Sequence, residues 1–255
     1  MTRKAATKSL THQNKKDHFR VIMKDRTNIT ERLKEAYRAS FMHGGEEKAR
    51  LLELLREHAV EHRRAYLVTG KRTDIYFDCR RITLLDEGVH VAASSLLRAI
   101  AADDVSPAAV AGPVFSGVPL ATAISLIRRS LRLTALAKAE VLTTSETDLA
   151  QVVETLLPSL PALAVRLKFR GHGFGLAVEG LTNVQSGALV ALVDDVATTG
   201  SSLLNAIRIL RKNGLQTAWV GCLIDREEGA REHLAEAGYE LRALFTAQEV
   251  LDGRA

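Results

Sequence analysis

The sequence predicts a doubly wound α/β fold, a mostly parallel sheet flanked by helices, and three observations carry that reading. Strand and helix signals alternate from about residue 46 onward. The runs ALVALV (188–193) and AWVGCLI (218–224) lack polar alternation, so both of their faces must be covered, as in a parallel sheet between helix layers. With 46% apolar and 25% charged residues over 255 positions, the chain is in the globular range, long enough for one large domain with appendages.

The elements follow in order. EEKARLLELLREHAVEHRRA from Glu46 places Ala49, Leu52, Leu55 and Ala59 at spacings of three to four, which predicts an amphipathic helix. LVTGKRTDIYFD reads as two short strands around Gly70. A helix is expected at about 87–103, a strand at 108–112, and a helix at 117–131 with Pro119 in its first turn, where the missing N–H costs nothing. Strands at 163–168, 176–180 and 188–193, a helix at 201–212 stopped by Gly214, and a strand at 215–224 complete the alternation. In such sheets ligands sit at the carboxyl ends of strands, so the loops after 112, 168, 193 and 224 are where chemistry is expected.

Charge divides the chain unevenly. Residues 1–34 hold ten Lys or Arg against the acids Asp17, Asp25 and Glu31, while the remainder is slightly acidic. The pI of 9.3 therefore belongs to a basic N-terminal extension, 1–45, expected to be flexible. It reads as a solvated arm, with nucleic-acid or acidic-lipid contact and a transit peptide as the other readings. No run approaches the ~20 apolar residues of a membrane helix. Cys79 and Cys222 form neither a metal-spaced cluster nor a disulfide framework. A cytoplasmic protein is expected.

The segment LVDDVATTGSS, Leu192 to Ser202, joins a buried strand to an acidic pair, a hydroxyl-rich turn and a helix start. A turn and helix N-terminus present backbone N–H groups and a positive dipole end, suited to a phosphate that the Thr198, Thr199, Ser201 and Ser202 hydroxyls can complete. Gly200 lets the backbone come close. Two carboxylates at a strand's end cannot both be buried unpaired, so Asp194 and Asp195 are expected to face water, a cation or sugar hydroxyls. A ribose 5-phosphate fits that layout.

These residues resemble the phosphoribosyl-diphosphate signature of type I phosphoribosyltransferases. Four more segments, in the same order, resemble orotate phosphoribosyltransferase: DIYFDCRRITL (74–84), AGPVFSGVPLATA (111–123), VRLKFRGHG (165–173) with VEG after it, and LIDREEGA (223–230). The resemblance covers about 48–250. It implies transfer of a 5-phosphoribosyl group from phosphoribosyl diphosphate to orotate, a step of pyrimidine nucleotide synthesis. The ion would be Mg²⁺ carried by the donor, with no protein-only metal site. A small N-terminal hood and a homodimer are implied as well.

By that resemblance Asp194 and Asp195 hold the ribose hydroxyls, and Arg226 meets the orotate carboxylate, a task for a fork of donors. Tyr76 and Phe77 lie against the pyrimidine. The turn with Ser116 and Gly117 holds diphosphate oxygens. KFRGHGFG becomes a lid, expected to be mobile, that brings Arg166, Arg170 and His172 to the neighbouring subunit's diphosphate. The pattern departs where the family often has lysine, at Val68, Ser116, Leu167 and Arg170, which leaves slower turnover, a different base or a non-catalytic, donor-binding regulator as the competing readings. Between 133 and 163 the chain carries extra residues. Thr144 or Ser145 as cap, an apolar face through Leu149, Val152, Val153, Leu156 and Leu157, and the Pro158 stop describe an inserted helix expected at the dimer contact, within a phosphoribosyltransferase domain of 46–255.

Overall fold

A computed structural model describes residues 44–66, 72–103, 105–140, 158–167 and 176–252. The expectations for the basic extension, for Val68, for the inserted helix and for Arg170 and His172 fall on residues outside these. Contacts divide the chain into two compact units. The larger, His43–Ser130 with Ser159–Ala255, holds both sheets; of the smaller, the described residues are a helix end from Leu131 and Pro158.

Helix α1 (Gly44–Leu54) continues into a π-helical turn, Leu55–Ala59. The expected helix through Ala65 stops there, because Val60 starts strand β1 (Val60–Tyr66), paired antiparallel with β2 (Arg72–Phe77) from Val60 opposite Phe77. Cross-strand pairing of a β-branched residue outweighs its helical period. The buried face also differs from the expected one: Leu51, Leu54, Leu55 and Ala59 are buried, Ala49 is exposed and Leu52 half-buried. Both stripes satisfy helical spacing, and packing chose between them.

A short helix α2 (Arg80–Thr83) leads to α3 (Asp86–Ala102), then β3 (Ala109–Pro113) and the long α4 (Gly117–Glu140). Strands β4 (Ala162–Val165) and β5 (Val178–Glu179) precede β6 (Leu189–Ala197), α5 (Ser201–Lys212), β7 (Gln216–Asp225), α6 (Ala230–Glu236), β8 (Leu241–Thr246) and α7 (Ala247–Leu251). The six-stranded sheet runs β5-β4-β3-β6-β7-β8, parallel except for β5. Val190, Ala191, Leu192 and Val193 of β6 are all buried, as a strand covered on both faces must be. Each fully buried Leu contributes about 1.5–3 kcal/mol, and Leu192, Leu203, Leu210 and Leu163 join one core cluster across sheet and helix.

The order of strands sets the site. From β3 the chain steps outward to β4, then returns to place β6 on β3's other side and continues to β7 and β8. The direction reverses between β3 and β6, and a crevice opens at the carboxyl end of such a switch point.

Candidate active site

Two strand-to-helix turns flank that crevice. The first follows β3: Val114, Phe115 and Ser116, with a cis Val114–Phe115 peptide and Phe115 79% exposed. Strand and helix touch behind it. A Cβ on Gly112 would lie 2.2 Å from the Gly117 carbonyl carbon, and one on Gly117 would lie 2.3 Å from Val193 O. Gly117 thus serves the close packing of β3, β6 and α4.

The second turn follows β6, which runs through the acidic pair rather than ending before it: Asp194 stands opposite Cys222 in register. Asp194 is only 3% exposed. The Ser116 hydroxyl donates to its Oδ1 at 2.6 Å, and the Asp195 N–H donates to the same oxygen at 2.9 Å. The expectation that both acids face outward fails for Asp194, whose burial is offset by a partner from the neighbouring turn. Asp195 is half-buried and accepts from Val196 N–H at 2.7 Å. Burial, then the Asp195 charge, push the Asp194 carboxyl well above its ordinary range, against the lowering effect of Ser116. Burial raises Asp195 too. Burial and adjacency thus both disfavour charge on the pair, and a cation or a set of hydroxyls would relieve it.

Beyond the acids, Gly200 takes φ 75° at the start of α5, a left-handed conformation natural to glycine. Thr199 Oγ1 and Ser201 Oγ lie 2.9 Å apart. The first turn of a 12-residue helix aims N–H groups and a positive dipole end here.

The facing wall is built by β2 and the end of β7. Arg226 donates its backbone N–H to Ala197 O at 2.9 Å, tying the two loops together. Its side chain is only 9% exposed and pairs with Glu228 at 2.9 Å, while the guanidinium sits 5.6 Å from the Phe77 ring centroid, a cation–π distance. The loop is held by Asp225, 0% exposed, which accepts from Glu227 N–H at 2.9 Å and Arg231 Nε at 2.6 Å.

A cavity of about 480 Å³ brings these groups together: Tyr76, Phe77, Phe115, Ser116, Asp194, Asp195, residues 196–203 with Thr198, Thr199, Gly200, Ser201 and Ser202, and Arg226. Arg80 also lines it, a residue the sequence reading did not select. Its Nε donates to Asp78 Oδ1 at 2.6 Å, and that bond raises the arginine and lowers the aspartate. Arg166 is not in the lining; it is exposed and pairs with Glu179 at 3.0 Å. Leu167 packs on the core, and its carbonyl accepts from Asn205 at 3.2 Å. Side-chain packing there accounts for an apolar residue where a lysine was the alternative.

A switch-point crevice lined by an acidic pair, a glycine turn at a helix start and a strand-end arginine defines the type I phosphoribosyltransferase fold. The family model described as "Phosphoribosyl transferase domain" matches residues 84–239. The orotate phosphoribosyltransferase of Sorangium cellulosum is 33% identical over 208 residues, 82% of this chain and 95% of that protein. Among solved structures, that of orotate phosphoribosyltransferase from Aeropyrum pernix shares 31% identity and a TM-score of 0.59, covering 79% of this chain and 96% of that one. The Mycobacterium tuberculosis H37Rv enzyme of the same name gives 25% and 0.59, covering 80% and 99%. The chain belongs to the orotate phosphoribosyltransferase family.

Proposed function

We propose that this chain transfers the 5-phosphoribosyl group of phosphoribosyl diphosphate to orotate, forming orotidine 5′-phosphate and diphosphate in pyrimidine nucleotide synthesis. One observation carries the reading: a single cavity joins the acid-and-glycine turn after β6 to Arg226, Tyr76 and Phe77. The turn residues 198–202 grip the 5-phosphate through amides and hydroxyls. Asp195, the more accessible acid, takes the ribose hydroxyls, and Asp194 holds it in place from behind. Arg226, stacked on Phe77, meets the orotate carboxylate with its charged fork.

In the reaction the C1–O bond to diphosphate breaks, with the electron pair leaving on the diphosphate. A bond forms between C1 and the pyrimidine nitrogen, whose proton passes to water or to the departing diphosphate. Positive charge on the ribose is sheltered between Asp195 and the bound anions. Among the described residues no group of three or more metal-ligating side chains occurs. The oxygen donors at the wall, Asp194 and Asp195, fit a hard cation such as Mg²⁺ carried mainly on the substrate's own oxygens, where it would supply positive charge to the leaving diphosphate. Arg80 and Arg226 are the cations of the described cavity wall. The same reading takes Arg170 and His172 as a lid contribution from the second subunit of a homodimer in the cytoplasm; the buried free thiols Cys79 and Cys222 accord with a reducing compartment.

The test is diphosphate release from purified protein, Mg²⁺ and phosphoribosyl diphosphate with orotate and a panel of other bases. Orotate-dependent release that disappears in Arg226→Ala supports the reading; release with a different base only, or donor binding with no release, overturns it. Shared sites have their own check. Mixing Arg170→Ala with Asp195→Ala subunits restores turnover only if each cavity takes its lid from the partner.

A further inference from the structure

Helix α6 sets Ala230 and Leu234 into the core, and it also touches the turn after β6 at two points. The His233 ring Nδ1 lies 2.8 Å from the Thr199 carbonyl oxygen. Since a carbonyl only accepts, Nδ1 carries the hydrogen and donates. One residue on, a Cβ at Gly200 would meet Ala230 O at 3.2 Å and its Cα at 3.3 Å, so the turn is seated against the first residue of α6. The helix in turn is anchored to the Arg226 loop: His233 N–H donates to Gly229 O at 3.1 Å, and Ala230 and Leu234 are buried.

We propose that His233 is a positioning residue for the phosphate turn, orienting the Thr199–Gly200 peptide for the donor's phosphoryl group; this rests on reading that turn as the 5-phosphate site. The peptide is planar and trans, so its C=O and N–H point in opposite directions. Drawing the Thr199 carbonyl towards α6 turns the Gly200 N–H the other way, to the side where Thr199 and Gly200 line the cavity. The amide is set before the anion arrives, and its orientation needs no reorganisation on binding. The same helix follows the Arg226 loop, so base loop and phosphate turn share one support.

His233 is exposed, so its truncation leaves the fold intact. The variants are His233→Ala, His233→Asn, whose amide N–H can replace the Nδ1 donor, and Glu236→Ala as a control on the same helix. Donor affinity is read by calorimetry with Mg²⁺ and phosphoribosyl diphosphate, and KM for each substrate and kcat by diphosphate release. Loss of one positioned hydrogen bond is expected to raise the donor's Kd and KM roughly three- to tenfold in His233→Ala. The orotate KM and kcat stay near wild type, Asn restores the donor values, and Glu236→Ala changes neither. Wild-type donor binding in His233→Ala, or equal loss in Ala and Asn, overturns the proposal. A wild-type protein that binds no donor is a different failure: it sinks the phosphate-site reading itself, and this proposal with it.

Discussion

The turns after β3 and after β6 occupy equivalent places, each joining a parallel strand to a helix at the same end of the sheet, and they use their side chains in opposite ways. The β3 turn is closed. Gly112 and Gly117 pack backbone on backbone with no room for a methyl group, and the Ser116 hydroxyl is turned onto a neighbouring carboxylate. The β6 turn is open, its hydroxyls bonded to one another and its glycine in a left-handed conformation beside the cavity. One turn directs its hydroxyl onto the protein, while the hydroxyls of the other pair among themselves along the cavity. The residue that links them is Asp194, a member of the second turn's motif satisfied by the first.

The contrast breaks most severely at the close contact. Gly117→Ala is expected to cost about 3 kcal/mol or more, because its methyl meets backbone that cannot move aside, whereas Gly200→Ala should cost about 1–2 kcal/mol from its positive φ. Urea midpoints of the two variants, at equal slope, measure the difference; equal losses would show that the β3 turn is no tighter than its counterpart. Next comes Ser116→Ala. Removing the donor to a buried carboxylate is expected to cost about 1–3 kcal/mol, while Ser201→Ala should shift stability by less than about 0.5 kcal/mol and weaken donor binding instead.

A smaller effect, with a sign fixed by proton linkage, sharpens the role of Asp194. Its folded pKa is raised above the ordinary 3.8, so the native state keeps a proton that the unfolded chain releases. Its contribution to stability therefore falls as pH rises from about 3.8 through the folded value. Asp194→Asn retains an acceptor for Ser116 and removes that dependence. The variant should gain stability relative to wild type as pH rises through the acidic range while losing turnover, and thermal melts across that range read the gap. A gap independent of pH would mean that the carboxyl titrates in the folded protein as it does in the unfolded chain.

Much of this was legible in the chain. Helix α5 falls on the expected residues 201–212 because its apolar stripe and glycine stop are both local. The strands β3, β6 and β7 stand where uninterrupted apolar runs place them. The local motif also placed Asp195, Thr198 to Ser202 and Arg226 around one cavity. Less visible were features that depend on distant partners. Arg80 lines the cavity, and nothing local to it says that it faces the site. Helix α6 carries legible signals, Gly229 before it and Gly238 after, but its bearing on the Thr199 turn is a contact across 34 positions. The helix expected through Ala65 gives way to β1 at Val60, because β2 pairs with these residues and local periodicity does not reveal that partner.

The sequence by itself determined the alternating α/β pattern and the glycine turn at the start of α5, since each is written in neighbouring residues through periodicity and backbone freedom. Only the tertiary structure decided which of the two cavity-lining acids is the more buried, because Asp194 and Asp195 are chemically identical neighbours until Ser116, 78 residues away, lends its hydroxyl to one of them. A carboxylate's exposure is a property of what packs around it, and that is set when β3 and β6 come to lie side by side.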